Sequence, residues 1–326
     1  MTAAPALSVV LATPDTYDTI RFTMRFLRAQ TVREQMEVLI VGPTEDAIRA
    51  PEDDLAGFWG HQFVVAGPVS SIARVNAAGV RRARAPLVAL AEDHCFPEPT
   101  WAAALITAHA APWAVVGPSI RNANPSTVVS WCDFIVGYGP WADPAVAGPA
   151  PFLPGHNSCY KKAVLLEYGD RLEAMMEAET VLHFDLRRRG LHLGVAPAAR
   201  AAHTNFAFAS TWLPVMFYQG RVFAASRARR WSLANRLLYV AASPLIPAVR
   251  FARSVRQMAR AGGPKPSMAR VLPMLALGLV LDGLGQMAGY LVGPGDAVAR
   301  VAGYEFHRVE HITDADRQAL LVHAPL

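Results

Sequence analysis

Glu92-Asp93-His94 places two carboxylates and an imidazole side by side at the end of the apolar run "LVALA", and Pro97 and Pro99 follow at once. Carboxylate oxygens suit hard divalent cations, and an adjoining imidazole moves the preference toward manganese or another transition ion. The prolines restrict the backbone after the triplet, so its three side chains are expected on a fixed elbow rather than a floppy loop. Acidic residues after a strand also serve as solvated caps. Taken alone, the triplet does not choose between these uses.

The elements that must position such a cluster are legible upstream of it. Five short apolar runs read as strands: "ALSVVL" (6–11), "EVLIV" (37–41), "QFVVA" (62–66), "PLVAL" (86–90) and "WAVVG" (113–117). Between them, "IRFTMRFLRAQ", "SIARVNAAGVRRARA" and "TWAAALITAHA" read as crossover helices, the alternation of a parallel α/β sheet. Such a sheet binds ligands at the carboxyl ends of its strands, where the triplet stands. After residue 120 a Gly/Pro-rich stretch, "GYGPWADPAVAGPAPFLPGHNS", is expected as a long loop over that edge. Helices over 161–168 and 180–189 and a short strand "LHLGV" follow.

Length and composition set the frame. With 326 residues, 52% of them hydrophobic, the chain can bury a sizeable core and is not disordered over most of its length. Cys95, Cys132 and Cys159 lie far apart without C-x-x-C spacing, which indicates neither a zinc cluster nor a disulfide framework. "MTAAPALSVVLATPD" has no basic flank and reads as a first strand, not a signal peptide. The net charge of +5 is unevenly spread: positions 186–281 hold fourteen arginines and Lys265 but no Asp or Glu. These basic residues alternate with the apolar segments 237–249 and 271–293. Pro244 and Pro247 break the first, and Asp282 and Gln286 interrupt the second, so in-plane or re-entrant helices are expected rather than two spans. Arginines beside such helices suit anionic headgroups; a buried helical hairpin of a soluble domain is the alternative. No module that reads nucleic acid accompanies the arginines, and none is expected to be bound.

Several stretches, in collinear order over about 210 residues, resemble the family 2 glycosyltransferases of GT-A fold. "LSVVLATP" is similar to the opening strand and its nucleotide-facing turn, and "ARVNAAGVRRARAPLVAL" to the helix and strand before the metal motif. "LAEDHCFPEPTW" resembles that motif with its P-x-P-x-W turn, and "LPGHNSCYKKAVLLEYG" the acceptor-side loop and helix. "EAETVLHFDLRRRGLHLGVAPAARAAH" resembles the segment that carries the catalytic carboxylate and a final histidine, and "FYQGR" a following Q-G-R element. The resemblance implies a GT-A-type α/β domain over 1–215; beyond it the basic and apolar composition reads as a helical, membrane-associated region over 216–300, followed by a tail over 301–326. It implies that Thr13, Pro14, Glu92 and Asp93 contact the donor, and that Asp93, His94 and His203 hold a divalent metal, Mn2+ or Mg2+, on its diphosphate. Glu179 would be the general base, and Gly155, His156 and Asn157 the acceptor side. The partners implied are a nucleotide-diphosphate sugar, a lipid-linked or glycan acceptor, and an anionic membrane surface, peripheral or re-entrant on the cytoplasmic face.

The chain departs from the family's pattern at several positions. The usual D-D or D-x-D is E-D-H, the usual E-D pair is Ala178-Glu179, and Gly42-Pro43 stands where an aspartate for uracil is common. The helix before the triplet carries N-A-A-G at Asn76 to Gly79 instead of N-x-G, and no Q-x-x-R-W motif of processive synthesis occurs. Each site residue also has an ordinary structural use: Glu179 on a helix dipole, His203 as a core histidine, His156 and Asn157 in a turn. A non-catalytic, membrane-bound sugar-nucleotide binding or scaffold protein therefore stands as the alternative. The donor base and sugar, the linkage and the oligomeric state are not encoded in any motif.

Overall fold

The computed structural model describes residues 4–322 and 325. Residues 1–3, 323, 324 and 326, the outermost ends of the N-terminal stretch and of the expected tail, lie outside the described residues. Among the described residues two compact units are formed, one within Met1–Arg121, Asp143–Ala202 and Val322–Leu326, the other by Asn122–Ala142 and His203–Leu321.

The chain begins β1 (Leu7–Ala12), α1 (Tyr17–Arg28), β2 (Met36–Gly42), two single turns α2 (Glu45–Ile48) and α3 (Glu52–Leu55), then β3 (Gly60–Val65). It continues through α4 (Ile72–Arg82), β4 (Leu87–Ala91), β5 (Cys95–Pro97), α5 (Trp101–Ala108), β6 (Trp113–Asn122) and α6 (Val128–Tyr138). Next come β7 (Gly148–Pro149), β8 (Cys159–Lys161), α7 (Lys162–Leu166), α8 (Leu172–Met176), α9 (Glu179–Arg188) and β9 (His192–His203). Among the described residues one sheet has the order β3-β2-β1-β4-β8-β6-β9-β5, with β7 beside β9.

β3, β2, β1 and β4 run parallel, in registers that include Leu7 opposite Met36 and Leu7 opposite Leu87. Helices cover both faces of a parallel sheet, which is why β1, β2 and β4 are near-continuous apolar runs rather than alternating ones. Their two polar residues satisfy each other: Ser8 Oγ donates to Glu37 Oε2 at 2.6 Å, and Gln62 Nε2 and the Arg84 N–H donate to the same carboxylate at 2.7 and 2.8 Å. Glu37 is thus a buried acid with a structural use at the amino end of β2, away from the end where ligands bind. Gly79 lets α4 press on β1, because a Cβ there would lie 2.5 Å from Val10 Cγ1.

The five expected strands are present, with β6 extended to Asn122. Two features differ. β8 inserts antiparallel between β4 and β6, pairing Ala89 with Cys159 and Val116 with Cys159, so Lys161 ends a strand instead of opening a helix. "LHLGV" is only the start of a twelve-residue strand, β9. The three cysteines are buried and free.

The second unit contains α6 and the helices α10 (Ala209–Arg227), α11 (Leu233–Ala242), α12 (Ile246–Arg260), α13 (Met268–Val292), α14 (Ala297–Glu305) and α15 (Asp314–Val322). α10 and α13 meet through backbone. A Cβ on Gly220 would lie 2.3 Å from the Asp282 carbonyl oxygen, and one on Gly285 2.0 Å from that of Phe217. By length and composition α13 could cross a membrane, with a mean hydropathy of 1.6 over its most apolar window. Its Asp282 and Gln286 are buried: Arg250 Nη1 lies 2.5 Å from Asp282 Oδ2, and Gln286 Nε2 donates to the same oxygen at 2.9 Å.

Candidate functional site

The triplet ends β4 as an elbow pinned from α1. Thr23 Oγ1 lies 3.1 Å from the Glu92 carbonyl oxygen and 2.9 Å from that of Asp93. Just beyond, the Phe96 ring packs against Phe22 and Phe26 with centroids 4.9 and 5.0 Å apart. Burying one such ring is worth about 2 kcal/mol, so the expected fixed elbow is held by packing as well as by its prolines. Glu92, Asp93 and His94 are all at least nine-tenths buried.

A second segment is laid against the elbow by an unusual backbone. Asn157 has φ of 61°, in the left-handed region that asparagine tolerates better than most residues. Its N–H donates to the Leu90 carbonyl, and Nδ2 donates to Glu92 Oε2 at 3.0 Å. His156, one residue earlier, stands between two carboxylates: Nδ1 is 3.5 Å from Glu92 Oε1 and Nε2 is 3.1 Å from Glu179 Oε1. Gly155 is required here. A Cβ at this position would come within 2.3 to 2.6 Å of Glu179 Cγ, Cδ and Cβ.

Glu179 is the first residue of α9, where its carboxylate also meets the positive end of the helix. Burial opposes its ionisation, but the charge of His156, the hydrogen bond from His156 and the residue's own N–H outweigh burial and hold the carboxyl below the usual glutamate range. One turn on, His183 is fully buried, and burial pushes its imidazole down to about 4, so it is neutral near pH 7. The partners assign its tautomer: Nδ1 accepts from the Leu153 N–H at 3.4 Å, and Nε2–H donates to Tyr160 Oη at 3.0 Å. The Tyr160 hydroxyl then donates to the Gly155 carbonyl at 3.3 Å. This chain of bonds braces Gly155, and through it the place where Glu179 stands.

Asp93 carries the observation most relevant to a metal. Its Oδ1 lies 2.5 Å from His94 Nδ1, while its buried Oδ2 has no hydrogen-bond partner among the described residues. A buried carboxylate oxygen without a donor is costly, and a bound cation relieves the cost. Oxygen and imidazole donors side by side suit Mn2+ or Mg2+. His203 closes β9 and belongs to the second unit. There its Nδ1 lies 3.0 Å from Asn205 Oδ1 and its ring packs on Tyr138 at 4.2 Å. A hydrogen bond that fixes Nδ1–H leaves Nε2 as the lone-pair atom, the arrangement common behind metal-binding histidines.

Glu92, Asp93, His94, Gly155, His156, Asn157 and Glu179 thus form one constellation in the first unit. Thr13 and Pro14 sit past the carboxyl end of β1, the strand beside β4, in a turn where Thr13 Oγ1 donates to the Thr16 carbonyl at 2.7 Å. Thr23, Tyr160 and His183 were missed from sequence. Only His183 had a signal, its spacing of four from Glu179 on one helix face.

No family model and no curated protein matches the chain. Among solved structures, the fold is similar to a crystal structure of GalNAc-T7 with UDP, GalNAc and Mn2+ (14% identity, TM-score 0.47), covering 68% of this chain and 48% of that one. It is similar to S. aureus TarS (15% identity, TM-score 0.43), covering 86% and 54%. TarS 1-349 in complex with UDP gives 14% identity and a TM-score of 0.41, covering 86% and 90%. The chain spans about half the length of the first two, at 48% and 54%.

Proposed function

We propose that this chain is a glycosyltransferase that moves a sugar from a nucleotide-diphosphate donor to an acceptor hydroxyl, with inversion. The observation that carries the reading is the pairing of two separate carboxylate groups through His156. At the end of β4 the elbow offers cation and donor ligands, and across the imidazole Glu179 is held ionised and partly exposed.

The residues divide the chemistry between them. Asn157 fixes one oxygen of Glu92 and so orients that carboxylate to receive donor hydroxyls. Thr13 and Pro14 lie past the neighbouring strand end, where a nucleotide is bound in parallel sheets. Asp93 and His94 would hold the divalent cation; when bound it supplies positive charge to a departing diphosphate. Glu179 takes the proton from the acceptor hydroxyl as that oxygen bonds to the anomeric carbon. The anomeric carbon to diphosphate bond breaks in the same displacement, and its electron pair leaves on the phosphate oxygen. Attack opposite the leaving group inverts the centre.

The acid-free basic and apolar stretch supports an acceptor that is lipid-linked or close to a bilayer, on the cytoplasmic side where nucleotide sugars are made. The test is release of nucleoside diphosphate from a panel of donors, with and without Mn2+ or Mg2+, by the full chain and by Glu179→Gln. Cation-dependent release and transfer by the parent alone supports the reading. Donor binding without turnover across the panel overturns it in favour of a binding protein.

A further inference from the structure

The outer surface of the second unit is apolar where a water-facing helix is polar. Between Arg270 and Asp296 the single charged side chain is Asp282, and it is buried. The opposite face of α13 exposes Leu277, Val280, Leu284 and Leu291, each 45% to 50% accessible and spaced i, i+3, i+7 and i+14 along one stripe. Scattered exposed leucines need no explanation, whereas a charge-free stripe along four turns does.

α11 and α12, both packed on α13, add to it. Leu233 and Leu238 on α11 are 70% and 64% exposed. On α12, Val249, Arg253, Arg256 and Arg260 are exposed at spacings of four, three and four, so a single helix face is apolar at its start and cationic toward its end.

We propose that this surface, formed by α11, the exposed face of α12 and the stripe of α13, docks in plane on an anionic lipid leaflet. The leucines enter the acyl boundary, and Arg253, Arg256 and Arg260 meet the headgroups. The charge pattern selects the occupant. A second copy of the chain would set the same arginines against one another, since no acid lies between positions 186 and 281. Nucleic acid would pair with the arginines but leave the leucines in water. A leaflet satisfies both, with each basic residue near an anionic surface contributing to binding and salt weakening it. The proposal is independent of the glycosyl-transfer reading, because binding is measured without donor, cation or acceptor.

The experiment is flotation of the full chain with vesicles of phosphatidylcholine alone or mixed with phosphatidylglycerol, at low and high salt. Expected are strong binding to the mixed vesicles, weak binding to the neutral ones, and release by salt. Replacing Arg253, Arg256 and Arg260 together by glutamine should lower the partition coefficient on mixed vesicles by roughly a hundredfold at low salt. Leu233→Ser with Leu238→Ser should weaken binding to both kinds of vesicle. These side chains are exposed, so circular dichroism and melting should match the parent. Folded variants that float like the parent overturn the proposal. So does a parent that ignores vesicles and forms a dimer that the leucine pair abolishes, which would give the surface to a second copy.

Discussion

His156 Nε2 lies 3.1 Å from Glu179 Oε1 while Nδ1 of the same ring faces Glu92 Oε1 at 3.5 Å, so one imidazole ties the carboxylate of α9 to the end of β4. This contact decides the ionisation of Glu179. Burial alone raises a carboxyl, yet this one is held low, and His156 is the principal opposing influence.

Glu179→Gln keeps the shape and removes the proton acceptor. Transfer should fall by roughly 10²- to 10⁴-fold, the usual worth of a positioned base, while donor affinity stays within a few-fold of the parent. The pH profile gives a second reading. Because the folded carboxyl is lowered, the base is ionised across neutral pH and activity is lost only as pH falls through that lowered value. The same sign holds for stability, since the ionised form contributes above the unfolded carboxyl range and the contribution disappears on acidification. His156→Asn removes the lowering partner, so the acid limb of kcat should move to higher pH. An unmoved limb would separate His156 from the base.

Asp93→Ala addresses the cation apart from turnover. Mn2+ at about a hundred times its dissociation constant should stabilise the parent by about 2.7 kcal/mol, which raises the melting temperature by several degrees in a chain of this size. Asp93→Ala should abolish that rise. A full Mn2+ shift in Asp93→Ala places the ion elsewhere.

Gly155→Ala tests whether the carboxylate's place matters. The added methyl collides with three carbons of Glu179, so the side chain or the loop must move, at about 1–3 kcal/mol of stability. Displacement of about 1 Å can cost a hundredfold in rate. Gly137→Ala is the contrast: it lies in α6 with nothing within 4 Å of the added carbon, and should be neutral or stabilising by up to about 1 kcal/mol. Equal activity in the two variants would show that the approach of Gly155 to Glu179 is not used.

The parallel strands were readable because a strand buried on both faces must be apolar throughout, and the elbow because it ends such a strand before two prolines. β8 was not. It is three residues long, buried between two strands of opposite direction, and its Lys161-Lys162 continuation looks like the start of a helix. β9 hides its length in alanines and Pro197, which carry little strand signal. α6, "VVSWCDFIVGY", is buried on most sides and lacks a polar face to set its period. The site shows the same division. Its acids and its other histidines stand out by type, whereas Thr23 and Tyr160 act through tertiary hydrogen bonds that no spacing announces, and His183 shows only its spacing of four from Glu179.

Arg308 offers a test of what holds the second unit. Its guanidinium is buried, with Nη1 2.7 Å from Asp133 Oδ2 on α6, an ion pair with Glu305 at the end of α14, and the Phe206 ring 4.0 Å below. Burial pushes the Asp133 carboxyl up, and Arg308 is the first influence opposing it. Arg308→Met fills similar volume but leaves two carboxylates buried without their cation. Breaking a buried pair in this way costs about 3–5 kcal/mol, or roughly 6–20 °C in melting temperature. The deficit should depend on pH. Without the cation the buried Asp133 carboxyl stands further above its unfolded value, so the penalty is largest at neutral pH and shrinks as pH falls and it takes up a proton. Scanning calorimetry of parent and variant at neutral and mildly acidic pH measures this, and a deficit that grows on acidification would mean that the carboxylates are stabilised by something other than Arg308.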